Sequence, residues 1–196
     1  MVHVAMMAAI VFVATYFFKF EIITPTGPVM VKTANILCLL SGMLFGGLYG
    51  GLSAGIGSMM FDLLDPKYAA TAPFTLCFFF LMAAVCGWIS HGGGANGKHM
   101  ARNLFGAIAG ALTYFILNGA RNILTIMIAN DAFVPLMNGS MPAELHLYRA
   151  FIVAVVANST KLIVSAINLV VGIAGAMAIQ PLVYEPLRKA GVLNKL

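Results

Sequence analysis

The stretch GMLFGGLYGGLSAGIGS, residues 42–58, sets seven glycines among large apolar residues and carries no charge. Glycine lacks the Cβ that holds backbones apart, so a run of this kind reads as close helix–helix contact inside a membrane. It spans the junction of two apolar segments, 33–47 and 49–64. On the second of these, Gly51, Gly55, Ser58 and Asp62 fall on one narrow face at helical spacing.

Outward from this stretch the whole chain has the same character. Of its 196 residues 61% are hydrophobic and only 9% charged, with a mean hydropathy of +0.97. A soluble domain carries roughly 25% charged residues, so this chain cannot cover a globular surface with polar groups. Its apolar runs are continuous rather than alternating, which selects helices over a barrel. Six segments can span: 2–20, 33–47, 49–64, 72–91, 103–129 and 147–178. The second is short, and the last two are long enough to tilt or to extend beyond the bilayer. The expected fold is all-α: a polytopic membrane protein with six transmembrane helices in a compact bundle, and residues 1–196 forming a single integral membrane domain. The N-terminal stretch MVHVAMMAAIVFVATYFF lacks a basic leader and reads as a retained first span.

The formal charge of +5 follows the positive-inside rule. HGGGANGKHMAR carries Lys98 and Arg102, and the tail EPLRKAGVLNKL carries Arg188, Lys189 and Lys195. With six spans both lie on one side, so the N- and C-termini are expected to be cytoplasmic. Lys19 and Lys32 flank an outside loop and run against this bias. A clustered basic face is missing, which excludes nucleic acid as a partner. Cys38, Cys77 and Cys86 sit in apolar runs without ligand spacing, and His3, His91, His99 and His146 are scattered. No metal site and no cofactor is expected. Trp88, near the inner end of its span, reads as an interface anchor.

The polar residues inside the spans carry the functional signal. At 100° per residue, Asn158, Lys161, Ser165 and Asn168 fall within an arc of about 80°. Gly110, Tyr114, Asn118, Arg121, Asn122 and Thr125 share one face of the preceding span. A cation at the bilayer centre costs at least ~3 kcal/mol, so these stripes must face something other than lipid. The spans run in opposite directions, which brings the stripes to one depth, nearer the outside. Interhelical hydrogen bonds would account for a single asparagine; two cations with four amides point to a polar cavity. Candidate ligand-binding residues are Asn118, Arg121, Asn122, Asn158, Lys161 and Ser165. Asp62 is either a counter-ion for Arg121 or Lys161 or a helix-end group facing water. Ala5 and Ala9, four apart with Ala8 beside them, either admit another helix or pack internally. The outside loop 21–33, with Pro25, Gly27 and Pro28, suits a shaped lid over a ligand.

Enzyme signals are poor. GIGSM at 55–59 is not a nucleophile elbow, and neither HExxH nor a Walker A loop occurs. The glycine-rich HGGGANG reads as a turn between spans. The chain is therefore expected not to be an enzyme and not to hydrolyse ATP itself.

With these residues in view, the chain resembles the S components of energy-coupling-factor (ECF) vitamin transporters. The likeness rests on six spans, on Ala5 and Ala9, and on ANILCLLSGMLFGGLYGGLSAGIGSMMFDLLDP, which is similar to the second-to-third-span region of the general S-component family. Asn158 and Lys161 are similar to the ligand-contacting N-x-x-K pair of riboflavin-type members. The resemblance implies a high-affinity substrate-binding subunit of an ATP-driven importer in the prokaryotic cell membrane, holding a vitamin or related micronutrient near the outer face. It further implies docking through Ala5 and Ala9 onto a membrane coupling subunit joined to two cytoplasmic ATPases. Which vitamin is bound stays open. The alternatives are a stand-alone ion-coupled secondary transporter with Asp62 as its ion site, or a membrane scaffold or enzyme.

Overall fold

A computed structural model describes residues 2–24, 27–32, 34–94, 97–129 and 143–191, with the backbone alone at 19–24, 27–32, 129 and 143–147. Pro25 of the first loop, most of the loop expected after the fifth span, and Lys195 lie outside the described residues. His146 has no described side chain. Six helices are present among the described residues: α1 (Val2–Phe17), α2 (Ala34–Leu64), α3 (Ala72–His91), α4 (Met100–Ala129), α5 (Ala143–Ala157) and α6 (Ser159–Lys189). Helices α2, α3, α4 and α6 are long and apolar enough to cross a membrane, and α1 is a shorter apolar helix. The fold is the expected all-α membrane bundle. The first loop adds a hairpin, β1 (Lys19–Thr24) against β2 (Gly27–Lys32), antiparallel with Lys19 opposite Lys32 and Thr24 opposite Gly27.

The glycine run explains why α2 is two passes rather than one. Gly46 adopts φ 78° and ψ −175°, a conformation open to glycine and strained for other residues. The chain reverses there. Ser41 Oγ donates to Gly50 O at 3.0 Å, and Cys38 Sγ lies 3.7 Å from Ser58 Oγ. In a straight helix residues 20 apart would be separated by about 30 Å. The arms 34–45 and 47–64 therefore lie antiparallel, close to the expected boundaries. The glycines are where backbones meet. A Cβ on Gly42 would strike Ala83 O of α3, and one on Gly57 would lie 2.5 Å from Ala8 O of α1. Helix α1 packs on this scaffold through Val4, Met7, Ala8, Val11 and Thr15, all buried.

The last span differs from expectation. The segment 147–178 is in fact α5 and α6, reaching Lys189 and broken at Asn158, whose φ of −91° and ψ of 1° depart from the helix. Backbone bonds still run through the break, Asn158 N to Ala154 O and Leu162 N to Asn158 O, both 3.0 Å. The 31 residues of α6 extend about 46 Å at 1.5 Å each, well beyond the ~30 Å hydrocarbon core. Its last turn carries Arg188 and Lys189.

Six passes leave both ends of the described chain at one end of the bundle, together with the α3–α4 turn. The β-hairpin caps the opposite end. At the turn end Gly97, with φ 72°, is buried between α2, α4 and α6. Its carbonyl accepts from Asn103 Nδ2 at 2.8 Å and Gln180 Nε2 at 3.0 Å. His91 Nε2 lies 2.9 Å from Met43 O. A carbonyl only accepts, so Nε2 carries the proton there.

Candidate ligand-binding site

At the hairpin end the bundle opens into a cavity with about 780 Å³ of empty space, counted to its open mouth. Its position follows from two geometric facts. Helices α4 and α6 run antiparallel with Gly119 against Leu162, and α6 packs on the start of α2 through Gly172 against Asn35. The polar faces of α4 and α6 are thereby turned toward each other at one depth.

Five of the six expected binding residues line this cavity: Asn118, Arg121 and Asn122 from α4, Lys161 and Ser165 from α6. Asp62 lines it too, at 1% exposure. Asn158 is the exception. It is not among the lining residues; it sits fully buried at the α5–α6 break, and neither amide atom has a hydrogen-bond partner among the described residues. The 100° rotation per residue that put it on the face of Lys161 assumes an unbroken helix, and the helix is deformed at Asn158 itself.

The chemistry of the walls is divided. Phe79 and Tyr114 form an aromatic floor, with ring centroids 4.8 Å apart and planes tilted by 40°. Arg121 lies with Cζ 5.3 Å from the centroid of Phe74, a cation–π contact that holds the guanidinium at the rim. Asp62 Oδ2 accepts a hydrogen bond of 2.5 Å from Thr75 Oγ1. Asn35 is 4% exposed, and its Oδ1 has no partner among the described residues. Asn35, Tyr68, Thr71, Thr75 and Phe78 were not singled out in the sequence. Tyr68 and Thr71 belong to a stretch that reads as loop, and Asn35 is a lone amide at a helix start. Only the packing of α3 against α2 carries Thr75 to Asp62.

Ala5 and Ala9 are exposed on α1, whereas Ala8 between them is buried. Met6 and Ile10 extend the same outward surface. Trp88 is exposed near the turn end.

Residues 1–180 match a family model described as ECF-type riboflavin transporter, S component. Comparison with curated proteins and with solved structures gives no match.

Proposed function

The chain belongs to the family of S components of ECF-type riboflavin transporters, multi-pass membrane proteins that are the substrate-binding subunits of those transporters, and from that premise we propose that it binds riboflavin or a close flavin in the cavity at the hairpin end. The observation that carries this reading is the convergence of Asn118, Arg121, Asn122, Lys161 and Ser165 over the Phe79–Tyr114 floor. A flavin is a flat tricycle with an edge of alternating carbonyls and N–H, and it needs an aromatic surface and mixed donors and acceptors. Amides supply both donor and acceptor, and Lys161 and Arg121 donate to ring carbonyl oxygens. A bound ligand, or water before it arrives, offsets the cost of placing these cations at membrane depth. Asp62 balances part of their charge.

Under the same reading the turn end faces the cytoplasm, since Lys98, Arg102, Arg188 and Lys189 lie there. The hairpin end then faces outward, with the hairpin as a lid over the ligand. Without a nucleotide motif the chain depends on a membrane coupling subunit and two cytoplasmic ATPases. Ala5 and Ala9 form the docking surface on α1, where small exposed residues admit a partner helix. Residues 1–196 act as one membrane domain.

Titration of the purified protein with riboflavin, read by quenching of flavin fluorescence, tests the reading. Saturable binding of one flavin per chain is expected. No quenching, with no flavin released on denaturation, sinks it. Uptake into vesicles should require the coupling module; uptake by this chain alone, driven by an ion gradient, would favour a secondary transporter with Asp62 as its ion site. Ala9→Trp should abolish co-purification with the coupling subunit while leaving riboflavin binding intact. Normal assembly in that variant would remove Ala5 and Ala9 from the docking surface.

A further inference from the structure

Asn35, at the start of α2, lines the cavity on the side away from the α4 stripe. It is 4% exposed, and its Oδ1 meets no hydrogen-bond partner among the described residues. Buried polar groups in folded proteins are nearly always paired, and an acceptor left without a donor is destabilising. A group of this kind on a cavity wall is satisfied by what fills the cavity, water or a ligand. An amide offers both a donor and an acceptor, and a half-turn of the side chain exchanges the two with little change of shape.

The depth of Asn35 decides which part of a flavin can reach it. Its Cβ lies 3.3 Å from where a Cβ on Gly172 would stand. Gly172 is about 16 Å beyond Lys161 along α6, at 1.5 Å per residue. In a helix the Cα–Cβ bonds lean toward the N-terminus, so Lys161 reaches away from Asn35. Gly119 meets Leu162, which sets Arg121 level with the start of α6, and Phe74 holds its guanidinium at the rim. The two cations and Asn35 therefore mark opposite ends of the cavity. In an oxidised flavin the ring carbonyls and the ring N–H share one edge. That edge cannot lie against Lys161 and Arg121 and also reach Asn35. The polyol chain of riboflavin can. Its hydroxyls both donate and accept, and so pair with either end of the amide. We infer that Asn35 reads the polyol chain at the deep end of the cavity and so fixes which way round the ligand sits, with the ring edge outward at Lys161 and Arg121. This rests on the flavin reading above and adds a specificity residue to it.

Two ligands test this: riboflavin, and lumiflavin, which keeps the ring and lacks the polyol. Asn35→Leu removes the amide at similar volume. It should weaken riboflavin by about tenfold and lumiflavin by less than about threefold. An equal or larger loss for lumiflavin would mean that Asn35 meets the ring or only shapes the wall, and would overturn the inference; so would no loss for either. If Asn35→Leu does not fold, Asn35→Ala decides the matter by the same comparison. A parent protein that binds neither flavin defeats the flavin reading itself. A parent that binds both flavins equally well defeats only the polyol assignment.

Discussion

The two ends of this bundle use polar residues in opposite ways. At the turn end three side chains are spent on the protein's own backbone: Asn103 and Gln180 both donate to Gly97 O, and His91 bonds Met43 O. At the hairpin end Asn118, Arg121, Asn122, Lys161 and Ser165 surround open space. Hydrogen bonds made within the fold stabilise it and leave little capacity for anything else. Groups gathered around a cavity lie within reach of a ligand. Burial alone does not separate a structural polar residue from a functional one; what its partners are does.

This contrast fails if substitutions at the turn end change ligand affinity, or if those at the cavity change only stability. The largest effect is expected from Gly97→Ala. Its Cβ would lie 2.5 Å from Met43 O, at a φ of 72°. Together the overlap and the left-handed backbone should cost about 3 kcal/mol in chemical unfolding of the detergent-solubilised protein, with unchanged riboflavin affinity for the folded fraction. Lower affinity in that fraction would show that the two ends are coupled.

Asn103→Leu and Gln180→Leu should each cost about 1 kcal/mol, and the double variant more than their sum, because Gly97 O then loses both donors. Additive losses would mean that another group already satisfies the carbonyl. At the cavity, Lys161→Met should leave the ligand-free protein about as stable and weaken flavin binding by at least tenfold, or ~1.4 kcal/mol. If instead it destabilises the ligand-free protein and Asp62→Asn restores it, the lysine is a structural partner of Asp62.

The smallest effect is expected at Asn158. A buried amide with no partner among the described residues is no better than an apolar group of its size, so Asn158→Leu should be neutral or stabilising by up to about 1 kcal/mol in the ligand-free protein. A marked loss of affinity in that variant would return Asn158 to the binding site.

Much of this molecule was legible in its sequence, and for a physical reason. A lipid environment requires long apolar runs and makes every polar intruder expensive, so spans and polar stripes stand out without any knowledge of packing. The span 72–91 coincides with α3, and the glycine run marked the tight contacts of α2. Asn118, Arg121, Asn122, Lys161 and Ser165 could be picked out because each is costly against lipid and each shares a helical face with the other polar residues of its own span. What the sequence could not decide depended on breaks and on distant contacts. The reversal at Gly46 and the deformation at Asn158 are local backbone choices that periodicity does not encode. Tyr68, Thr71 and Thr75 carry no cost that would flag them, since hydroxyls near a helix end can bond to backbone or water. Only the packing of α3 onto the second arm of α2 brings Thr75 to Asp62.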